Sequence, residues 1–342
     1  AAGMSSAAKA GLDKEITEMI GNDGTHVPGL SVIVYKDGKR VYSKAAGRSY
    51  IDAADPGKDR AMNADTRFRI ASVSKQFTAF TIMQLVADGK LSLDTDVSKY
   101  LGFELRNPNY PDTPITIRML LSHTSSLRDG RIYSIPPQDN VQEFFKPTGR
   151  YYEAGAHFAQ LGQAPGKYFK YTNLNYGLLG TIIEKVTGER FDKYQREHIL
   201  KQLDIKGSYN VGDFDAKDLK QLGVIYQKQK DNVWDEQGPW VAQLDDYHGK
   251  VQNPDMVLIN NPDQRLGDSW YSLKNYVPGT NATIFSPQGG LRISSNELSH
   301  LLELLLNRGY YKGKEIVKPE LINEMLTLQW RYDPQNPNGS TY

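Results

Sequence analysis

Cysteine is absent from all 342 residues, which removes thiol nucleophiles, thiolate metal sites and disulfides together. That absence permits export without requiring it. No stretch approaches the roughly 18 consecutive apolar residues of a membrane span. Neither sign of charge dominates: 41 Lys and Arg face 40 Asp and Glu, and no long basic run would attract nucleic acid or an anionic lipid surface. The six histidines are scattered, with no His-Glu-x-x-His and no carboxylates at metal-ligand spacing, so no metal and no other cofactor is expected. Asp94-Thr95-Asp96 and Asp213-Phe214-Asp215 begin like calcium loops but lack the later glycine and glutamate, which leaves ordinary turns. A glycine-rich phosphate loop is also missing. What remains, at 24% charged and 39% apolar residues, is a globular chain long enough for a two-part body with a cleft.

The start, Ala1-Ala2-Gly3-Met4-Ser5-Ser6, lacks the basic-then-apolar order of a signal peptide. Residues 1–12 therefore read as a disordered or tag-derived tail. Gly29 to Tyr35 and Arg40 to Gly47, joined through Asp37-Gly38, read as a β-hairpin. From Ile70 to Ala87 apolar residues occupy more than one face and stop at Gly89, the pattern of a buried helix with a glycine cap. Between about 90 and 200 helices and loops prevail, including 117–121 and 176–186. Residues 205–285 are polar and aromatic with weak periodicity and are expected to form a long irregular stretch bordering a cleft. Trp234, Trp240 and Trp270 in it could stack on a substrate, but packing beneath the insertion is the simpler reading. Helices are expected at 297–306 and 319–326. No internal repeat is present.

A serine hydroxyl attacks a carbonyl only with a base in reach, and a lysine serves as that base only when burial keeps it largely neutral. Ser72 and Lys75, three apart at the start of the buried helix, fall on one face of it, so the pair could meet. The spacing alone is weak, because Ser-x-x-Lys arises by chance in a chain this long and Ser6 with Lys9 also matches. Without context, Ser72 could be a helix-start serine beside a solvated lysine.

Context comes from the segment Phe68-Arg69-Ile70-Ala71-Ser72-Val73-Ser74-Lys75-Gln76-Phe77-Thr78-Ala79, which resembles the nucleophile helix of serine β-lactamases, penicillin-binding proteins and their esterase relatives. Asp88 to Asp94, Ile115 to Leu127, Pro165 to Gly180 and Pro287 to Ser294 resemble, in order, later segments of the class C-like branch of that family. The third of these holds Tyr171-Thr172-Asn173, similar to the branch's Tyr-x-Asn segment. Ser208-Tyr209-Asn210 and Ser294-Ser295-Asn296 match a looser serine version of it. The resemblance makes Ser72, Lys75, Tyr171 and Asn173 the catalytic set, Tyr171 moving protons and Asn173 bonding Lys75 or the substrate. His123 falls in a resembling loop and reads as structural.

The fold this implies is α/β (α+β): an antiparallel sheet flanked by helices, joined to a mostly helical lobe, with Ser72 at the seam. One β-lactamase-like catalytic domain is expected over 13–342, its α/β lobe at about 13–69 and 286–342 and its helical lobe at about 70–285. The family also carries a Lys-Thr-Gly or His-x-Gly triplet whose backbone supplies an oxyanion donor. None is found here: Lys36-Asp37-Gly38 is a hairpin turn and His248-Gly249 has the wrong spacing. The chain is therefore expected to be an N-terminal portion lacking the closing strands; otherwise it is a degenerate binding protein. The implied function is hydrolysis through an acyl-enzyme of D-alanyl peptides or related esters, with a class C-like β-lactamase or a non-catalytic receptor for cell-wall fragments as alternatives. The partners implied are a small-molecule or cell-wall peptide substrate, with β-lactams as possible ligands, in an exported, bacterial setting.

Overall fold

Asp37 and Gly38 both take positive φ, 50° and 76°, as a two-residue hairpin turn with the strands' own twist requires. They join β1 (Gly29–Lys36) to β2 (Lys39–Tyr50), with Val32 opposite Lys44 and a register shift at Val34/Tyr35. A short β3 (Arg60–Ala61) completes a three-stranded antiparallel sheet in the order β1-β2-β3. The structure, a computed structural model, describes residues 3–21, 26–260 and 269–340.

Two helices flank this sheet. The first corrects the expected tail: α1 spans Ser6–Ile20, so residues 6–12 are helical, while Ala1 and Ala2 lie outside the described residues. Its polar, alanine-rich composition hid an amphipathic signal. Ser5 caps it by accepting from the Ala8 N–H, Ile16 is buried, and Asp13 accepts from the Tyr42 hydroxyl of β2 at 2.6 Å. The second, α8 (Ser295–Leu306), opens with a full capping box between Ser294 and Glu297 and packs on β1.

The junction that places the site is β4 (Arg67–Arg69) paired antiparallel with β10 (Arg292–Ser294). A tight turn at Ala71–Val73 then leads into α2 (Ser74–Ala87), whose Phe77, Phe80, Ile82 and Leu85 are all buried. Gly89, at φ 72°, ends the run as the sequence predicts. Short helices α3 (Ser98–Leu101) and α4 (Ile117–Leu121) lead to α5 (Asn173–Thr187), followed by α6 (Phe191–Gln195) and α7 (Ala216–Leu219). Helix α9 (Pro319–Leu326) has the predicted bounds. Among the described residues no helix is long and apolar enough to cross a membrane.

Residues 205–285 are more ordered than their weak periodicity suggests. They form β5 (Ile225–Lys230), β6 (Val233–Trp234) and β7 (Trp240–Leu244) in the order β6-β5-β7, then the pair β8 (Met256–Ile259) and β9 (Ser269–Ser272). The strands are short; β5, β7 and β9 mix polar with apolar residues and β8 is apolar at all four positions, so no alternation shows. Trp234 and Trp270 are surface side chains rather than packing beneath an insertion. The remaining strands β11 (Tyr310–Tyr311) and β12 (Lys314–Glu315) make a small hairpin. The fold is thus the mixed α/β arrangement expected, its antiparallel pairing divided among several small sheets.

Helix α5 is held at its far end by Glu184, which is fully buried and accepts from the Phe191 and Gly279 N–H groups at 2.9 and 3.0 Å and from the Tyr276 hydroxyl. Burial outweighs these donors and pushes its carboxyl up to about 7. A folded-state value above the unfolded one stabilises the protein at low pH and loses that contribution as pH rises through about 7. Denaturant titrations from pH 5 to 8 are expected to show the wild type losing on the order of 3 kcal/mol that Glu184→Gln does not lose. Equal pH slopes in the two proteins would show that Glu184 does not titrate there.

Candidate active site

Ser72 sits in the turn before α2, exposed, with Ala71 beside it at φ 48°. That left-handed conformation is strained for a residue with a Cβ, and the strand pairing around it holds it in place: Ile70 N–H donates to Leu291 O at 2.9 Å, and Leu291 N–H to Ser74 Oγ at 3.1 Å. The next turn brings Lys75 under the serine. Its Nζ donates to Ser72 Oγ at 3.1 Å, to Asn173 Oδ1 at 2.9 Å and to the Gln288 carbonyl at 2.9 Å, so three acceptors meet the three ammonium protons. Burial pulls this ammonium down to about 8, against the opposing pull of Asp129. About one lysine in ten is then neutral at pH 7, with a lone pair facing the hydroxyl.

Tyr171 closes the group from the other side. Its hydroxyl donates to Ser72 Oγ at 2.5 Å, and Lys75 Nζ lies 4.6 Å from its ring centroid. Thus all four residues predicted from the sequence meet at one point. The backbone that carries Tyr171 is fixed by the loop at 333–340: Phe169 N–H donates to Asn338 O at 2.9 Å, Ser340 N–H to Phe169 O at 3.0 Å, and Trp330 stacks on Phe169. Asn173 is the first residue of α5. Gly180, two turns further on, permits a close approach, since a Cβ there would stand 2.5 Å from Pro287 Cγ, next to the carbonyl that Lys75 binds.

Two residues that sequence reasoning did not assign complete the site, beside one that it did. Asp129, largely buried and held above the usual carboxylate range by that burial, accepts from Asn173 Nδ2 at 3.1 Å and from the Leu174 N–H at 3.0 Å. It thereby turns the Asn173 oxygen toward Lys75. Only its place two residues beyond the resembling Ile115–Leu127 segment could have flagged it. Gln288 acts through its backbone carbonyl, which side-chain identity cannot reveal. His123 does have the structural role expected: its Nδ1 accepts from the Thr172 N–H at 3.1 Å and its ring packs 4.5 Å from that of Tyr171. Burial, with Lys75 nearby, pulls it down to about 4, so it stays neutral.

The competing sequence matches have other duties. Ser6 and Lys9 are exposed on α1. Ser208 donates to Asp213, Tyr209 is buried and donates to Ser74 O, and Ser294 caps α8. Asp94 pairs with Arg118 and Asp96 with Arg106, which fills the would-be calcium positions with guanidinium groups. His248 and Gly249 lie in an exposed turn beside Asp246.

Replacing Asp129 with Asn would put an amide where Asn173 needs an acceptor and remove the charge that raises Lys75. Two changes are expected in Ser72 reactivity toward a fluorophosphonate: a fall of about ten- to hundredfold, the cost of one mispaired buried donor, and a rate profile displaced to lower pH. An unchanged profile would separate Asp129 from the lysine.

Residues 12–342 match the family described as Beta-lactamase. Protein flp of Staphylococcus aureus (strain MRSA252) is 32% identical over 219 residues, 61% of this chain and 42% of that protein, so this chain spans less than half the relative's length. The octameric penicillin-binding protein homologue from Pyrococcus abyssi superposes with a TM-score of 0.62 at 26% identity, over 95% of this chain and 61% of that one. EstCE1, a hydrolase with promiscuous acyltransferase activity, shares the fold with a TM-score of 0.61 at 22% identity, over 93% of this chain and 77% of its own.

Proposed function

The chain belongs to the beta-lactamase family, and from that premise we propose that it is a serine hydrolase that works through an acyl-enzyme. The observation that carries this reading is the convergence of Lys75 Nζ and Tyr171 OH on one exposed hydroxyl, at 3.1 and 2.5 Å. Neutral Lys75 takes the Ser72 proton as Oγ bonds to the substrate carbonyl carbon, and the Ser72 N–H offers one hydrogen bond to the oxyanion. Tyr171 hands a proton to the leaving amine or alcohol as its bond to the carbonyl breaks. Water then attacks the ester, with the same two side chains returning the proton to Ser72. Asn173, its oxygen on Lys75 and its amide nitrogen on Asp129, holds Lys75 in line.

The substrate class we propose is D-alanyl peptides of the bacterial cell wall or related esters, which places the protein outside the cytoplasm. A panel of D-Ala-D-Ala peptide, 4-nitrophenyl esters and a chromogenic cephalosporin tests it. Turnover of peptide or ester above the cephalosporin supports the reading, whereas preferential cephalosporin turnover would make the protein a class C-like β-lactamase. Saturable muropeptide binding with no turnover of any substrate would replace hydrolysis by a receptor role.

A further inference from the structure

Three residues upstream of the nucleophile, Arg69 has no ion-pair partner among the described residues. Its Nε donates to the Gly289 carbonyl at 3.0 Å, Nη2 to Ser286 Oγ at 3.1 Å, and Nη1 reaches Asn260 Oδ1 only at 3.4 Å. A guanidinium has five N–H donors, so two are left over. The neighbouring buried Arg292 takes both oxygens of the nearby carboxylate, Asp245, at 3.0 Å each. Two guanidinium groups therefore share one acid. Burial and the Arg292 charge together pull Arg69 down to about 10, the signature of a cation short of a counter-ion.

The space in front of this guanidinium is a polar pocket with room of about 60 Å³, lined by Arg69, Tyr133, Ser134, Asn260, Ser286 and Gln288. Ser286 Oγ already accepts from Arg69 and from Gln288 Nε2 at 2.8 Å, which leaves its proton as a further donor. Gln288 joins the pocket to the catalytic group. Gln288 carries the carbonyl that binds Lys75, and Tyr133 feels the charges of Arg69, Asp129 and Tyr171.

We infer that this pocket is an anion subsite for a carboxylate carried on the acyl part of the substrate, with Arg69 as its specificity-determining residue. The volume fits one small planar acid group, and an Arg fork with a flanking hydroxyl donor matches carboxylate geometry. The inference deepens the proposed function and rests on acylation of Ser72, so its test has one arm that needs catalysis and one that does not.

In the first arm, wild-type kcat/KM is measured for mono-4-nitrophenyl glutarate and for its neutral methyl ester. The acid is expected to be preferred at least about tenfold, an effect of ~1.4 kcal/mol, with the preference lost in Arg69→Gln and partly kept in Arg69→Lys. Equal rates on the two esters, or a preference that survives Arg69→Gln, would overturn the subsite. In the second arm, glutarate and neutral glutaramide are titrated by NMR into Ser72→Ala protein. Saturable glutarate binding, with none for glutaramide, is expected. Absence of glutarate binding to folded protein would also overturn it. If no ester is turned over yet glutarate binds, the hydrolase reading fails and the subsite stands. Should Arg69→Gln not fold, the wild-type ester pair and the two titrations decide the matter alone.

Discussion

Ser72→Ala is expected to lower turnover of the preferred substrate by at least about 10⁴-fold while leaving the fold intact. The two halves of this result matter together. Ser72 is exposed and its hydroxyl is the meeting point of Lys75 and Tyr171, so removing it opens no cavity, and the buried Lys75 keeps its Asn173 and Gln288 acceptors. Unfolding free energy should therefore change by no more than about 0.5 kcal/mol, the range of surface substitutions. A large loss of stability would assign Ser72 to the scaffold. Turnover that survives the substitution would move the nucleophile elsewhere.

Lys75 gives the second large effect. Acylation needs its neutral form, and burial holds it at about 8, so wild-type acylation should climb about tenfold per pH unit from pH 6 and level off above pH 8. The sign follows from the group: protonated lysine has no lone pair to accept the serine proton. Lys75→Ala is expected to reduce the rate by about 10²- to 10⁴-fold and to remove this rising limb. It also strips donors from Asn173 Oδ1 and the Gln288 carbonyl, so its melting must be followed alongside. A limb that persists without Lys75 would belong to another group, and a rate independent of pH in the wild type would end the role of lysine as base.

These effects show how far the residues alone could lead. The hairpin at Asp37-Gly38, the buried α2 and the meeting of Ser72, Lys75, Tyr171 and Asn173 were legible because each depends on a short pattern: a turn dipeptide, a run of apolar residues, or ordered motifs. The distant partners were not. Asp129 acts through Asn173 and Gln288 through a backbone carbonyl, neither of which leaves a spacing to read. Helix α1 was hidden for a different reason, since it presents few apolar residues and is anchored by Ile16 and the Asp13–Tyr42 hydrogen bond. Strands β5 and β7 escaped because polar residues on their faces erase the alternation that betrays a half-buried strand, and β8 because it is only four residues long and apolar throughout. Their pairing is set by contacts across the chain, with Asp245 reaching back to Arg292.

The most direct test is to treat the chain with a fluorophosphonate, whose phosphorus bonds to the attacking oxygen and releases fluoride, then digest it and map the added mass by tandem mass spectrometry. A single adduct on Ser72, missing from Ser72→Ala and slowed at pH 6 relative to pH 8, is the predicted result. Mass on any other residue, or substrate turnover by protein whose Ser72 stays unmodified, would contradict it.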